Sequence, residues 1–359
     1  MVVFHIISHF ELGGAEKVAF NIASSPNKDI EYHIIEVAKG ESEYTKNFLQ
    51  YAKEQGIITH QSQIRNVRKA ILHFPFWFSK LVRKYNPDII HCHTETPDLA
   101  VYLSLKSGLV NRTKHKIVRT IHNNQLWNSW KGIGAVVEKY FKTRSEIIAI
   151  SHSTQNSYKE QYGLAPDIIF NGIKVPLAKK FPNLDKDKIN ILFAGRLEYQ
   201  KGIDVLLRVI ESLNDINNIH FYIVGNGTMK NSVLDSISNL NNVTYYPQIF
   251  GLADYLNSFD YIFLPSLFEG LALTTIEASM SGTPAIINSA PGLEETLPPD
   301  WPLKVIENNV AAYLQIIKNL QFYNYEDLKQ NAHQYAVKNF NLSSMQTAYE
   351  NIYIKLCKN

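Results

Sequence analysis

The sequence predicts an α/β protein made of two doubly wound, Rossmann-like domains. Three observations carry that prediction. The chain has 359 residues, more than one ordinary core accommodates and enough for two domains of average size. Short apolar, β-branched runs alternate along it with longer helical patterns, and apolar strands of that kind are buried on both faces, as in parallel sheets covered by crossover helices. The alternation breaks over Asn171 to Lys188, NGIKVPLAKKFPNLDKDK, where Pro and Lys accumulate and a linker is expected. The division is an N-terminal domain at 1–172, a linker at 173–188, a C-terminal domain at 189–340 and a terminal helix at 341–359 that can pack back on the first domain.

Bulk properties narrow the class. The composition is globular, 45% apolar and 19% charged. No apolar run reaches the ~18 residues that span a bilayer. VVFHIIS at the N-terminus has no basic leader and no cleavage site, and Cys92 and Cys357 offer no disulfide framework. A cytoplasmic protein is expected. The net charge of +3 conceals an asymmetry: residues 1–175 carry +7 and residues 176–359 carry −4. Arg65 to Arg144 hold 15 basic and 4 acidic residues. A phosphorylated substrate or an anionic membrane surface could use that excess; nucleic acid ranks last, because its binding signatures are missing.

Taken in order, VVFHIIS reads as the first strand. It leads into Gly13-Gly14, whose paired glycines permit positive φ and close approach of backbone N–H groups to a phosphate. A plain tight turn explains them equally. The G-x-G-x-x-G spacing is missing and no ribose-binding acid follows where a dinucleotide site would have one. YHIIEV is the next strand. Ile64 to Lys84 then mixes Lys and Arg with Phe74, Phe76, Trp77 and Phe78. Such a segment can lie on an anionic bilayer, or its aromatics can pack beneath the sheet; Pro75 is expected to interrupt its helix.

DIIHCH, HKIVRTIH and EIIAIS complete the first set of strands. His91-Cys92-His93 lacks a second Cys or His pair at ligand spacing, so no metal site is expected. Glu95 and Asp98 are read as loop residues, either orienting an acceptor or solvated. His122 ends its strand and would ordinarily be a loop histidine. Asn123 to Lys131, NNQLWNSWK, adds two tryptophans on what is taken as the acceptor side.

In the second half, INILFAG, IHFYIVG, NVTYYP, YIFLP and PAIIN read as strands. Arg196 and Lys201 follow the first, just before a helix. A forked cation and a point charge beside a helix N-terminus suit a diphosphate, as against an ordinary charged turn. Gly225 and Gly227 are read as packing glycines. YIFLPSLFEG runs into a turn at Glu269-Gly270, where a helix is expected to begin, with the amides of Leu271, Ala272 and Leu273 available to an anion. Glu269 and Glu277 stand eight residues apart, ~12 Å along a helix. That exceeds the ~5–9.5 Å of a glycosidase pair and suits two acids reading two ends of an extended ligand.

Taken together, G-G-A-E at Gly13–Glu16, G-R-L-x3-K-G at Gly195–Gly202 and Glu269-x7-Glu277 resemble the retaining GT-B glycosyltransferases of family GT4. ISHST, FNGIKV and LPSLFEGLALTTIEA fall in that family's order, and SLFEGL…IEA is similar to transferases of bacterial capsules, exopolysaccharides and O-antigens. The resemblance implies two Rossmann-like domains facing each other across a cleft. It implies that Glu269 contacts donor-sugar hydroxyls, that Glu277 binds the ribose, and that Arg196 and Lys201 neutralise the diphosphate with Gly270, Leu271, Ala272 and Leu273. It further implies that Gly13-Gly14 closes over the phosphates, that His122 stands beside the donor sugar, and that no metal or cofactor is required. The implied partners are a nucleotide-sugar donor, commonly UDP-linked, and a glycan or lipid-linked acceptor; a lipid acceptor would put the protein on the inner membrane face through Ile64–Lys84. Relatives often have Phe-Gly or proline where Leu271-Ala272-Leu273 stand here, which bears on sugar identity. The alternative is a non-catalytic nucleotide-sugar-binding partner of another transferase; a GT-B epimerase or phosphorylase would need other residues.

Overall fold

The computed structural model describes every residue of the chain except Leu12, Ser129 and Asn359. It divides into two units, Met1–Gly172 with Leu342–Asn359, and Ile173–Asn341. Residues 173–188 thus belong to the second unit, and the C-terminal helix belongs to the first.

The first unit runs β1 (Val2–Ile7), α1 (Gly14–Ala23), β2 (Glu31–Glu36), α2 (Glu43–Glu54), β3 (Ile58–His60), α3 (Val67–Tyr85) and β4 (Ile89–His93). It continues with α4 (Glu95–Lys106), β5 (Lys116–Ile121), α5 (Lys131–Phe141), β6 (Glu146–Ala149), α6 (His152–Tyr162) and β7 (Asp167–Ile168). Its seven strands are parallel in the order β3-β2-β1-β4-β5-β6-β7. The second unit runs β8 (Ile189–Ala194), α7 (Ile203–Ser212), β9 (Ile219–Val224), α8 (Lys230–Ile237), β10 (Val243–Tyr246) and β11 (Tyr261–Leu264). Then come α9 (Leu273–Met280), β12 (Ala285–Asn288), β13 (Lys304–Val305), α10 (Val310–Lys318) and α11 (Tyr325–Asn339). Its six strands are parallel in the order β10-β9-β8-β11-β12-β13. The final helix, α12 (Leu342–Lys358), packs in the first unit.

All ten expected strands are present, and both sheets are doubly wound. Their order reverses between β1 and β4 in the first unit and between β8 and β11 in the second; in such sheets ligands bind beyond the strand ends at that reversal. The short β3, β7 and β13 carry too few residues to show a period and were not legible in the sequence.

Helix starts divide into two kinds. Helices α2, α3, α6, α10 and α11 are capped by Ser42, Asn66, Ser151, Asn309 and Asn324, each accepting a backbone N–H three residues on. Helices α1, α4, α7 and α9, which follow the strands at the two reversals, begin without a side-chain cap, as do α5 and α8. Their first-turn N–H groups are therefore left for other partners.

Two expectations are corrected here. Helix α3 continues through Pro75 for 19 residues; the proline is tolerated because Phe74, Pro75 and Phe78 are all buried and tertiary packing outweighs the lost hydrogen bond. Asp98 is not in a loop but in the first turn of α4, and it is buried. Its partner is Arg119 of β5, whose guanidinium reaches Asp98 Oδ2 at 2.7 Å and Glu138 of α5 at 2.6 and 3.0 Å. The Trp127 indole N–H and the Tyr158 hydroxyl also donate to Glu138, at 2.8 and 2.6 Å. Burial raises the Glu138 carboxyl, but the Arg119 charge and these donors outweigh it and hold it below the usual range. Asp98, with fewer donors, is pushed up by burial to about 6.

Replacing Arg119 with Met strands two carboxylates in the core, so a loss of about 3–5 kcal/mol in urea unfolding is expected. Adding Asp98→Asn and Glu138→Gln should restore part of it. A single Arg119→Met variant as stable as the parent would show that the network is not compensated as described.

Candidate functional site

The second unit brings the sequence-predicted cation and acid together. The turn after β8 and the turn after β11 are closed on each other: the Leu267 N–H donates to Gln200 O at 2.8 Å, and Gln200 Nε2 donates to Phe268 O at 2.9 Å. Gly202, between a short 3-10 turn at Tyr199–Lys201 and α7, has φ +68°. A Cβ there would lie 2.0 Å from the Pro265 carbonyl oxygen, so only glycine allows this approach. Gly225 is constrained in the same way, since its Cβ would meet Gly195 O at 1.9 Å. Its role is packing, as the sequence suggested.

This closure places Lys201 Nζ 2.6 Å from Glu269 Oε1, with the two side chains only 16% and 10% exposed. Residues that sequence reasoning missed hold the Glu269 turn from below. Asn308 Nδ2 donates to Pro265 O at 2.8 Å, and its own N–H goes to Asn288 Oδ1 at 3.0 Å. Asn288 Nδ2 donates to Ser266 O, and the Tyr313 hydroxyl to Asn308 Oδ1. Asn308 adopts φ +52° to do this, a conformation in which asparagine is enriched.

Arg196 is exposed, and its side chain makes no hydrogen bond or ion pair among the described residues. Its neighbour Glu198 is occupied by the Thr228 N–H and hydroxyl, at 2.9 and 2.6 Å. Glu277 is the fifth residue of α9 and is buried. The helix opens at Leu273, not at Gly270 as expected, because the bent chain from Glu269 to Ala272 is hydrogen-bonded to Pro291-Gly292. The Glu269 N–H donates to Pro291 O at 2.9 Å and the Ala272 N–H to Gly292 O at 3.1 Å. Ala272 therefore does not offer its amide. The N–H groups of Leu271 and Leu273 have no backbone acceptor among the described residues.

In the first unit the glycine pair does not behave as anticipated. Gly13 is extended, with φ −153°, and neither glycine has positive φ. The Gly13 Cα faces Glu16, the buried acid in the first turn of α1: a Cβ at position 13 would lie 2.0 Å from Glu16 Oε2 and displace that side chain. The loop leading there is held by Glu36, the last residue of β2. Its carboxylate accepts the N–H of Phe10 at 2.9 Å and those of Gly40 and Ser62, both at 3.1 Å. Burial raises its carboxyl to about 7 even so. An acid does end β2, where a ribose-binding acid would stand, but its three hydrogen bonds go to backbone.

His122 follows β5 and is buried in a cluster with His5, His91 and His93. His5 Nδ1 lies 2.9 Å from His93 Nε2, and His93 Nδ1 lies 3.1 Å from His122 Nε2. His91 meets the Tyr353 hydroxyl of α12 and Thr120 Oγ1, each at 2.7 Å. Burial lowers all four rings, His5 and His122 to about 3. Nitrogens of His5, His91 and His93 all lie within 4.8 Å of one another. The His91 and His93 rings are 4.1 Å apart at 31°, and both nitrogens of each are already engaged in the hydrogen bonds above. Hydrogen bonds account for the cluster better than a metal does.

Two residues near His122 hold left-handed backbone: Thr94, ending β4, at φ +78°, and Trp127 at φ +58°. For such side chains these conformations are strained, and strain of this kind clusters at functional sites. Trp127 fits only because residue 134 is glycine, whose Cβ would meet its Cγ at 2.2 Å. Gln125, Leu126, Trp127, Lys131, Gln161 and Tyr162 line a pocket of about 370 Å³. Within Asn123–Lys131, Ser129 lies outside the described residues.

Residues 12–175 match the family described as Glycosyltransferase Family 4, and residues 175–335 match Glycosyl transferases group 1. The chain is similar to CapH, a capsular polysaccharide biosynthesis glycosyltransferase of Staphylococcus aureus. The two are 27% identical over 287 residues, 77% of this chain and 78% of that one. It is equally similar to WclY, an O-antigen biosynthesis glycosyltransferase of Escherichia coli, at 27% over 289 residues, 75% and 79% of the two chains. Among solved structures, Anabaena HepE in complex with UDP-glucose superposes with a TM-score of 0.80 at 15% identity, over 99% of this chain and 100% of that one. That likeness concerns the fold.

The neutral histidines make stability depend on pH. Each ring is unprotonated in the fold but titrates near 6.5 when unfolded, so acidification below that value favours the unfolded chain by about 1.4 kcal/mol per ring and pH unit. Glu36 and Asp98, raised to about 7 and about 6, work in the opposite sense over the same range. Burial also lowers His33, His60, His115 and His220 and raises Glu95; the rings outnumber the acids and leave a net loss, on the order of 2 kcal/mol or more per unit between pH 6 and 5. Urea midpoints at pH 7.5 and 5.5 check it; equal or greater stability at pH 5.5 would contradict the neutral cluster.

Proposed function

The chain belongs to the GT-B glycosyltransferases, and from that premise we propose a retaining transfer of a sugar from UDP to an acceptor hydroxyl. The observation that carries the reading is the Lys201–Glu269 pair. It stands where β8 and β11 end, at the reversal of strand order in the second unit, the position at which open parallel sheets bind ligands.

In this reading the diphosphate meets Arg196, Lys201 and the uncapped start of α9. Arg196 has no partner to give up, and Lys201 turns from Glu269 to the phosphate. Glu269, released, accepts hydrogen bonds from donor-sugar hydroxyls, while Glu277 binds the ribose and His122 hydrogen-bonds the sugar. Negative charge builds on the departing diphosphate in the transition state, and fixed positive groups aimed there are where rate is gained. The leaving phosphate takes the proton of the acceptor hydroxyl on the same face, which preserves configuration. No metal is needed, because the two side-chain cations and the helix terminus supply the neutralising charge.

The names of the relatives support a place in capsule or O-antigen synthesis; a glycan or lipid-linked acceptor and a cytoplasmic enzyme resting on the inner membrane face belong to the same proposal. Helix α3 supports the membrane part: Val67, Leu72 and Phe76 are 39%, 69% and 59% exposed, among Arg68, Lys69, Lys80 and Arg83. Its Phe74 and Phe78 serve the core instead.

Turnover of a panel of UDP-sugars, with and without acceptor, tests the reading. Arg196→Ala and Lys201→Ala should each lower kcat by roughly 10²–10³-fold, and EDTA should leave the parent unaffected. Near-parental turnover in both variants, or no turnover of any nucleotide sugar, would remove the mechanism; the second outcome would favour a non-catalytic binding partner. For the membrane part, the protein should sediment with phosphatidylglycerol vesicles and lose most of that binding in Leu72→Ser/Phe76→Ser. Equal sedimentation of the double variant would reject α3 as the contact.

A further inference from the structure

His122 is the end of a buried chain of three imidazoles. Register builds it. His5 of β1 lies opposite His91 of β4, and His93, two residues on, shares the His91 face. His93 in turn lies opposite Thr120 of β5, and His122 stands two residues beyond. His91 is beside the chain but not part of it, since both its nitrogens are engaged by Tyr353 and Thr120. The links run His5 Nδ1 to His93 Nε2 and His93 Nδ1 to His122 Nε2. At the far end His5 Nε2 is buried with no hydrogen-bond partner. At the near end His122 Nδ1 makes no hydrogen bond among the described residues.

A neutral imidazole has one N–H and one lone pair, and a hydrogen bond between two rings needs one of each. His93 is bonded through both nitrogens, so it donates to one neighbour and accepts from the other. If its proton is on Nδ1, it donates to His122, and His5 must donate to it from Nδ1; all three rings are then Nδ1–H. If its proton is on Nε2, both links reverse together and all three are Nε2–H. Any mixture sets two protons or two lone pairs face to face in a dry interior, where an unmade hydrogen bond is costly.

We propose that His5 and His93 are positioning residues that set the tautomer of His122, so that its Nδ1, the nitrogen left for a ligand, has one hydrogen-bonding character throughout the population. This rests on the reading in which His122 meets the donor sugar. It adds that the side chain is pre-ordered for that contact by rings one and two places away, the farther of them on the first strand. A solvated histidine would interchange tautomers freely and lose that freedom on binding.

The test is a long-range ¹H–¹⁵N spectrum of the histidine-labelled full chain, in which the nitrogen shifts distinguish the two neutral tautomers and the cation. At pH 7.5 His5, His93 and His122 should show one common tautomer, its sign giving the polarity of the chain, and none should titrate down to pH 5.5. Unlike tautomers among the three, or a protonated ring, would overturn the proposal. His93→Phe should release His122 to a tautomer mixture, with a roughly tenfold fall in kcat/KM for the donor, the size of one neutral hydrogen bond. His93→Gln, which can both donate and accept, should recover much of each. An unchanged His122 signal in His93→Phe would also overturn it. The parent spectrum decides the tautomers even if a variant fails to fold. A common tautomer together with full activity in His122→Ala would sink the functional reading of His122 alone and leave the relay standing.

Discussion

The approach of Gly202 to the Pro265 carbonyl is the constraint on which the second unit's candidate site depends. It lets the turns after β8 and β11 touch, and their contact through Gln200 puts a lysine and a glutamate side by side at the reversal of strand order. A side chain at position 202 would force the turns apart and separate the two charges. Beneath them, Asn288, Asn308 and Tyr313 satisfy the carbonyls of Pro265 and Ser266, which would otherwise be unpaired in a buried turn. The turn is held because its carbonyls are already bonded. Its side-chain charges and, among the described residues, the free N–H groups at the start of α9 are the parts left to respond to a ligand.

The first unit buries polarity in two different ways within a few residues. Around Arg119 the groups are charged and compensated, with one guanidinium serving two carboxylates. Around His93 they are neutral and directional, and a long-range clamp from α12 closes them in through Tyr349 and Tyr353. The contrast has a physical basis. A guanidinium cannot shed its proton and must bring its counter-charges inside, whereas an imidazole deprotonates and then needs only hydrogen bonds. Both arrangements converge on the end of β5, where Arg119 and His122 are three residues apart. The ion-pair network therefore also holds the strand that carries His122.

Much of the candidate site was legible in the sequence, and the misses share a cause. Arg196, Lys201, Glu269 and Glu277 stand out because cations or acids beside a helix start are unusual enough to notice. What could not be read was how each group is spent. Ala272 looked like an anion-binding amide and is bonded to Gly292. Gly13 looked like a left-handed turn residue and instead makes room for Glu16. Asp98 looked like an acceptor-side loop acid and is the counter-charge of Arg119. Asn308 gave no signal except its proximity to a second asparagine at position 309, the cap of α10.

By itself the sequence determined the layered α/β architecture, its ten main strands and the identity of the ionisable groups near their ends. Apolar runs and helical periods are properties of a few consecutive residues, so they survive without knowledge of the rest. Only the tertiary structure decided which polar groups pair: Lys201 with Glu269 across 68 residues, His91 with Tyr353 across 262, His5 with His93 across 88. Hydrogen bonds are short and directional, and a partner that arrives from another strand or from the last helix leaves no mark on the local pattern.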